Sequence, residues 1–260
     1  MNTGITDSGT FYVYNKKNQI SPMVFIHGVG LTHEIWQPQL DFFKDYSNLS
    51  YDILGHGKSS LNKEKISFDD FSDQLIELLN ELKIDKIHLI GFSIGSLIAR
   101  NFATKFNDRL KSLILLGSIY KRSEEQQKIV NSRFDQAKKE LKLSKQALKR
   151  WFTDEYLEKN PKTYEKISLI LSSNNMSNFL KVYELFVKHK NDEDFEKIKV
   201  NTLIMTGEYD VGSTVEMSEE LNKIIKNSEI KIIKDGKHLC GIECADDVNL
   251  TIKNFVNKNE

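Results

Sequence analysis

The sequence predicts an α/β protein with a mostly parallel sheet flanked by helices and a helical cap inserted between two strands. Short apolar runs alternate with longer segments whose apolar residues recur at helical spacing. The runs occupy residues 23–26, 87–90, 113–116, 203–205 and 230–233. Continuous apolar strands of this kind are buried on both faces, as in a parallel sheet covered by helices.

The first strand, helix and strand illustrate the pattern. Ser67 and Asp70 have the spacing of a capping box, which marks the start of a helix, and apolar residues then recur at helical spacing up to Leu82. The strand at 87–90 follows, and a second helix is expected over 94–106. Parallel strands need such a crossover. We also expect residues 10–14 and the strand beginning at Met23 to form an antiparallel edge pair.

Residues 120–199 interrupt the alternation, because they are polar, rich in lysine and glutamate, and show only helical periodicity. We therefore expect a core made of residues 1–119 and 200–260, with 120–199 inserted as a helical cap or lid. Since the insertion follows a strand at the carboxyl edge of the sheet, it would cover the crevice where open α/β sheets bind ligands. The alternative is a helical segment that packs elsewhere.

The amino-acid composition bears on binding partners and on cellular location. The chain has 37 basic and 37 acidic residues, so its formal charge is zero and no global field attracts nucleic acid or an anionic membrane. No apolar run is long enough to cross a bilayer. The first twelve residues lack a signal-peptide pattern, so we expect a cytoplasmic protein. Cys240 and Cys244 are too few for a disulfide framework, and Cys240 is interpreted as a small packing side chain.

The most specific motif is G-x-S-x-G at residues 91–95. It lies between a predicted strand and a predicted helix, which is the context of a nucleophile elbow. Ser93 would occupy a tight turn, for which Gly91 and Gly95 leave room. The sequence therefore predicts Ser93 as a nucleophile.

A serine nucleophile needs a base and an acid that orients the base. His238 follows the last predicted strand, whereas His189, the other histidine after Ser93, lies in the insertion and is expected at the surface. Asp210 follows the strand at 203–205 and is the predicted acid. Glu208 and Asp235 are its rivals.

The oxyanion formed by serine attack needs hydrogen-bond donors. The backbone N–H of Ile94 is one candidate, and the loop at 27–30 supplies the other, with Val29 preferred and Gly28 or Gly30 possible. His27 is expected to brace this loop. His56 is assigned to a turn and His88 to a buried strand, and His33 either contacts substrate or lies at the surface.

Six large apolar side chains are candidates for the substrate pocket, although each could equally pack its own helix. They are Trp36, Trp151, Phe152, Met176, Phe179 and Tyr183. No metal or organic cofactor is implied, because the candidate residues already supply a nucleophile, a base and donors.

Taken together, the chain from Thr10 to Val256 resembles the α/β-hydrolases. The matching motifs, in order, are H-G-V-G at 27–30 with Trp36 beyond it, D-I-L-G-H-G-K-S at 52–59, the elbow at Ser93, and G-E-Y-D at 207–210 followed by His238. R-W-F-T at 150–153 is similar to the 3-oxoadipate enol-lactonases and related small esterases. Asn201 stands where those enzymes commonly have proline.

The resemblance implies a serine hydrolase of the carboxylesterase or lactonase type that acts on a small-molecule ester or lactone. Carbon–carbon bond hydrolysis and cofactor-free perhydrolysis use the same triad and remain alternatives. A ligand-sensing module with slow turnover is a third. The oligomeric state is not predicted.

Overall fold

The computed structural model describes residues 2–17, 21–140 and 146–260. Their strands form one eight-stranded sheet in the order β1-β2-β4-β3-β5-β6-β7-β8. The strands are β1 (Asn2–Ile5), β2 (Phe11–Asn15), β3 (Met23–Ile26), β4 (Asn48–Tyr51), β5 (Ile87–Phe92), β6 (Leu110–Leu116), β7 (Thr202–Gly207) and β8 (Ser228–Ile233).

The sheet is parallel from β4 to β8 and antiparallel at the β1–β2 edge. The expected edge pair of residues 10–14 with the strand at Met23 is wrong. β2 pairs with β1 and β4, and β3 lies between β4 and β5. The reason is that β4, which the apolar pattern does not reveal, returns parallel to β3 and takes the position beside it.

The helices that cover the sheet are α1 (Gln37–Phe42), α2 (Phe68–Glu81), α3 (Ile94–Lys105), α9 (Val215–Ile224), α10 (Cys240–Glu243) and α11 (Ala245–Lys258). The predicted capping box begins α2, since the Ser67 and Asp70 side chains each bond the other's backbone. α2, α3 and α9 contribute to one core cluster, which includes Val24 and Ile26. α11 packs in the second cluster with Met23 and Phe25, because successive strand residues face opposite sides.

In the described part of the chain, five α-helices lie between β6 and β7, within the predicted insertion. They are α4 (Glu124–Glu140), α5 (Gln146–Trp151), α6 (Asp154–Lys159), α7 (Pro161–Ser172) and α8 (Met176–Val187). Residues 141–145 of the predicted insertion lie outside the described residues. Of the helices in the described ranges, none is both long enough and apolar enough to cross a membrane.

The end of the insertion is fixed to the core by buried charges. Arg100 of α3 is fully buried and its guanidinium lies 2.6 Å from a Glu193 carboxylate oxygen. His189 lies 3.3 Å from the same oxygen, and its side chain is 4% exposed. The expectation that His189 is a surface residue is therefore wrong, because the carboxylate of Glu193 and the ring of Phe68 enclose it.

Candidate active site

Ser93 lies at the sharp turn between β5 and α3. Its backbone has φ 55° and ψ −119°, a left-handed conformation that is strained for a side chain with a Cβ. Gly91 and Gly95, two residues away on either side, lie too close to backbone atoms to carry a Cβ. A Cβ at Gly91 would overlap the carbonyl of Gly95, and a Cβ at Gly95 would overlap the carbonyl oxygen of Ile26. This is the geometry expected of a nucleophile elbow.

His238 and Asp210 meet in the loops that follow β8 and β7. The distance from His238 Nδ1 to Asp210 Oδ2 is 2.6 Å. The other carboxylate oxygen, Oδ1, accepts hydrogen bonds from the backbone N–H groups of Gly212 (2.8 Å) and Ser213 (3.0 Å). With the Asp210 side chain 1% exposed and the imidazole 13% exposed, the pair is largely shielded from water. The carboxylate therefore holds the proton on Nδ1 and leaves Nε2 as the acceptor.

The rival acids do not contact the imidazole. Glu208 is exposed, and its carboxylate accepts a hydrogen bond from the backbone N–H of Asp235. Asp235 is exposed too, and its carboxylate lies 3.4 Å from the Tyr209 hydroxyl. Asp210 is the carboxylate that the fold brings to His238.

The backbone N–H groups of Val29 and Ile94 are the candidate oxyanion donors. In the described part of the chain, no acceptor takes a hydrogen bond from the backbone N–H of Val29 or Ile94. Gly30 is different, because its N–H donates to His56 Nε2 at 2.8 Å. Of the alternatives in this loop, Gly30 is therefore unsuited, and the amides of Val29 and Ile94 stay available for a ligand oxygen.

Two buried histidines brace the Val29 loop. His27 Nε2 accepts from the N–H of Ile53 (3.0 Å) and Nδ1 lies 2.8 Å from the carbonyl oxygen of Gly28, so the ring is neutral with its proton on Nδ1. Burial lowers the pKa of His27 to about 4. Burial, and then the repulsion that a second proton on the neighbouring His27 ring would cause, lower the pKa of His56 to about 3. Both rings bond as neutral groups, which matches the expectation that His27 braces the loop.

His33 and His88 have structural partners. His33 Nδ1 lies 2.8 Å from Asp52 Oδ1, so His33 ties its loop to the 52–59 motif. Burial acts to raise the pKa of Asp52, but this hydrogen bond and the nearby histidines lower it overall. His88 is buried in β5 as expected and contacts Ser112 and Glu260.

A cavity of about 490 Å³ opens above Ser93 and is lined by Ser93, His238, Asp210 and Val29. Of the six predicted pocket residues, Trp151, Phe179 and Tyr183 line it. The backbone oxygen of Trp151 also accepts a hydrogen bond from the N–H of Leu239, at 2.9 Å, which ties α5 to the His238 loop.

The other three predicted pocket residues lie elsewhere. Trp36 is buried against Phe25, with ring centroids 5.1 Å apart, in the second core cluster. Phe152 is fully buried and stacks on Tyr156 at 5.2 Å. Met176 begins α8, one turn before the first lining residue of that helix, and is partly exposed. For Trp36 and Phe152 the interpretation as core residues holds.

Three arginines that were not predicted from the sequence as pocket residues also line this cavity, namely Arg122, Arg133 and Arg150. For Arg133 the sequence contained a signal, because Arg133 shares one face of α4 with four other lining residues at helical spacing, namely Gln126, Ile129, Val130 and Ala137. Within the described residues, no group of three or more His, Cys, Asp or Glu is placed to hold a metal ion.

Comparison with known proteins gives relatives along nearly the whole chain. The family described as alpha/beta hydrolase fold matches residues 21–243. An (E)-2-((N-methylformamido)methylene)succinate hydrolase of Acinetobacter baylyi is 30% identical over 91% of this chain and 90% of its own length. The 3-oxoadipate enol-lactonase 2 of the same organism is 25% identical over 89% of this chain and 86% of its own. Among solved structures, an enol-lactonase from Burkholderia xenovorans has a TM-score of 0.88 at 23% identity, covering 98% of this chain and 100% of that one.

Proposed function

The chain belongs to the α/β-hydrolase family, and we propose that it hydrolyses a carboxylic ester or lactone through a serine acyl-enzyme. The observation that carries the proposal is the 2.6 Å contact of Asp210 with His238 beside the cavity that Ser93 also lines. Relatives named as a succinate-derivative hydrolase and an enol-lactonase support it.

In the acylation step, Ser93 Oγ attacks the substrate carbonyl while His238 Nε2 takes the hydroxyl proton. Asp210 stabilises the imidazolium that forms, since its carboxylate already accepts from Nδ1. The amides of Val29 and Ile94 donate to the oxyanion. When the tetrahedral intermediate collapses, the imidazolium gives its proton to the leaving oxygen, and the acyl group remains on Ser93.

Deacylation repeats these roles with water as the nucleophile. His238 removes a proton from the water, which attacks the acyl carbonyl, and the same proton then returns to Ser93 Oγ. For a lactone the leaving oxygen stays attached to the acyl group, and the product is a hydroxy acid. In this proposal the helical segment 120–199 is the lid that covers the reaction.

The test compares wild-type protein with Ser93→Ala on p-nitrophenyl acetate and butyrate. We expect Ser93→Ala to lose turnover by about 10³-fold or more, with an unchanged circular dichroism spectrum. Ser172→Ala is the matched control, because Ser172 is exposed at the end of α7, and it should retain full activity. Full turnover in Ser93→Ala would refute the proposal. A ring-cleavage diketone, and peroxide with acetate, extend the substrate panel to carbon–carbon hydrolysis and perhydrolysis.

A further inference from the structure

Three arginines line the cavity that also contains Ser93. Arg122 precedes α4, Arg133 lies on the α4 face described above, and Arg150 lies on α5 beside Trp151. Arg133 and Arg150 are half-buried. The part of the cavity lining that comes from α4, α5 and the residues before α4 therefore carries three positive charges, although the whole chain has no net charge.

The arginines that line the cavity differ from Arg100 in their partners. Among the described residues, Arg100 is ion-paired with Glu193, whereas Arg122, Arg133 and Arg150 have no carboxylate within ion-pair distance. The sequence of residues 141–145 contains no Asp or Glu. Of the described residues that line the cavity, Asp210 alone is acidic, and its two oxygens are taken by His238 and the 212–213 amides.

Arg122 is held in place by neutral groups. Its guanidinium donates to the carbonyl oxygens of Phe186 and Val187 at 3.3 Å and stacks 4.6 Å from the ring centroid of Phe186. Burial lowers the pKa of Arg122 to about 10, which leaves it charged at neutral pH. A half-buried cation fixed by carbonyls and an aromatic ring is oriented but not neutralised.

The three charges also lie near one another. The pKa of Arg150 is lowered by burial and then by the positive charge of Arg133. All three guanidinium groups act on the Tyr183 hydroxyl, whose pKa is raised by burial although each arginine lowers it. Like charges grouped around one phenol disfavour each other, and an anion placed among them would remove that cost.

We propose, resting on the proposed function, that the substrate is an ester or lactone carrying a carboxylate remote from the reacting carbonyl, and that Arg122, Arg133 and Arg150 bind it. Guanidinium groups present paired N–H donors that match a carboxylate. The carbonyl would lie at Ser93 and the carboxylate near Tyr183, both of which line the cavity of about 490 Å³. The three arginines are then specificity residues for the reaction.

The kinetic test uses two esters of the same acyl length, monomethyl adipate and methyl hexanoate, which differ in a terminal carboxylate. We expect wild-type kcat/KM to favour the adipate ester by at least about tenfold. Arg133→Gln and Arg150→Gln should each lower kcat/KM for the adipate ester by about tenfold to a hundredfold and change that for the hexanoate ester by less than about threefold.

Lys149→Gln is the matched control, because it removes one positive charge from the same helix at an exposed position outside the cavity. It should leave the preference between the two esters unchanged. Faster turnover of methyl hexanoate than of monomethyl adipate in wild-type protein, or an equal loss in Lys149→Gln and Arg150→Gln, would overturn the inference.

Calorimetry separates this inference from the proposed function. Adipate is titrated into Ser93→Ala protein, with and without Arg150→Gln, and inorganic phosphate is titrated in parallel. Adipate binding that Arg150→Gln weakens at least about tenfold supports the carboxylate site even if neither ester is hydrolysed. Turnover of neutral esters with no adipate binding overturns the site and leaves the esterase proposal standing. Phosphate binding tighter than adipate binding overturns the carboxylate assignment.

Discussion

The two oxygens of the Asp210 carboxylate have separate tasks. Oδ1 accepts from the backbone N–H groups of Gly212 and Ser213, which fixes the carboxylate plane. Oδ2 is thereby directed at His238 Nδ1. Position and charge of the acid are thus set by different contacts, so a substitution can remove the charge and keep the position.

Asp210→Asn makes that change. The amide keeps an oxygen for the two backbone donors, but it presents an N–H to the imidazole and favours the wrong tautomer, so we expect kcat to fall by about 10³- to 10⁴-fold. The measurement is turnover of p-nitrophenyl butyrate. Glu208→Gln, which alters the exposed rival acid on the same loop, should stay within about twofold of wild type. The reverse order of effects would reassign the acid.

Gly95 shows how closely the elbow packs against β3. A Cβ at this position would overlap the Ile26 carbonyl oxygen and lie 2.7 Å from that of His27, both of them backbone atoms that cannot yield alone. We expect Gly95→Ala to lower the free energy of unfolding by about 3 kcal/mol, measured by urea denaturation. In the control Gly241→Ala, the new Cβ would meet the flexible end of Leu116 at 3.3 Å, and the loss should be much smaller. Equal stability of the two variants would contradict the packing described for the elbow.

The Val29 loop is held in place by two neutral histidines. His27 bonds the loop to Ile53, and His56 takes the Gly30 amide, so both rings must offer an unprotonated nitrogen. Burial enforces this by holding their pKa values near 4 and near 3. The stability of the Val29 loop is therefore coupled to pH.

The direction of this pH dependence is set by the unfolded chain, in which a histidine binds a proton near pH 6.5. Below that pH the histidines bind protons in the unfolded state but not in the folded state. The stability that the neutral rings contribute is therefore complete above pH 6.5 and is lost as pH falls toward 4. We expect each ring to account for a loss of about 2 kcal/mol at pH 5. In His56→Asn one titrating group is gone. When both proteins are denatured at pH 7 and at pH 5, the variant should lose about 2 kcal/mol less unfolding free energy between the two pH values than wild type does. An equal loss in both proteins would contradict the account.

The helical segment between β6 and β7 is joined to the core at two places. Trp151 bonds the His238 loop, and Glu193 is ion-paired with the fully buried Arg100 of α3. Burial acts to raise the pKa of Glu193, but His189 and Arg100 lower it to about 2. The carboxylate is thus kept charged by its partners, and Arg100 depends on it.

Glu193→Gln leaves the Arg100 guanidinium buried without a counter-charge. We expect the free energy of unfolding to fall by about 3 kcal/mol. Glu196→Gln, at an exposed position three residues further on, should change it by less than about 0.5 kcal/mol. Chemical denaturation of both variants makes the comparison. Similar stabilities for the two would mean that the Arg100 contact contributes nothing to holding the segment.

The sequence predicted those elements whose burial follows a simple period. The five apolar runs all lie within strands, and the elbow at Ser93 could be placed because strand, glycines and helix adjoin in the chain. The apolar pattern does not predict β4, because Asn48 and Ser50 are polar. Both residues are nevertheless buried, and the Asn48 amide donates hydrogen bonds to the carbonyl oxygens of Phe43 and Tyr46. The position of β4 between β2 and β3 then made the predicted edge pair wrong.

The pocket was harder to predict because its walls come from distant segments. An aromatic residue at helical spacing packs its own helix or faces a cavity, and only the relative placement of α4, α5 and α8 decides which. Phe179 and Phe152 are both fully buried, but only the former lines the cavity. That Arg122, Arg133 and Arg150 line the same cavity also depends on this placement.

Mass spectrometry of the protein during turnover tests whether Ser93 carries the acyl group. Wild-type protein is mixed with p-nitrophenyl butyrate, quenched in acid within the first turnover, and digested. We predict one butyryl group on the peptide containing Ser93, with a matching burst of p-nitrophenol, and neither in Ser93→Ala. A butyryl group on another side chain, together with undiminished turnover in Ser93→Ala, would contradict this prediction.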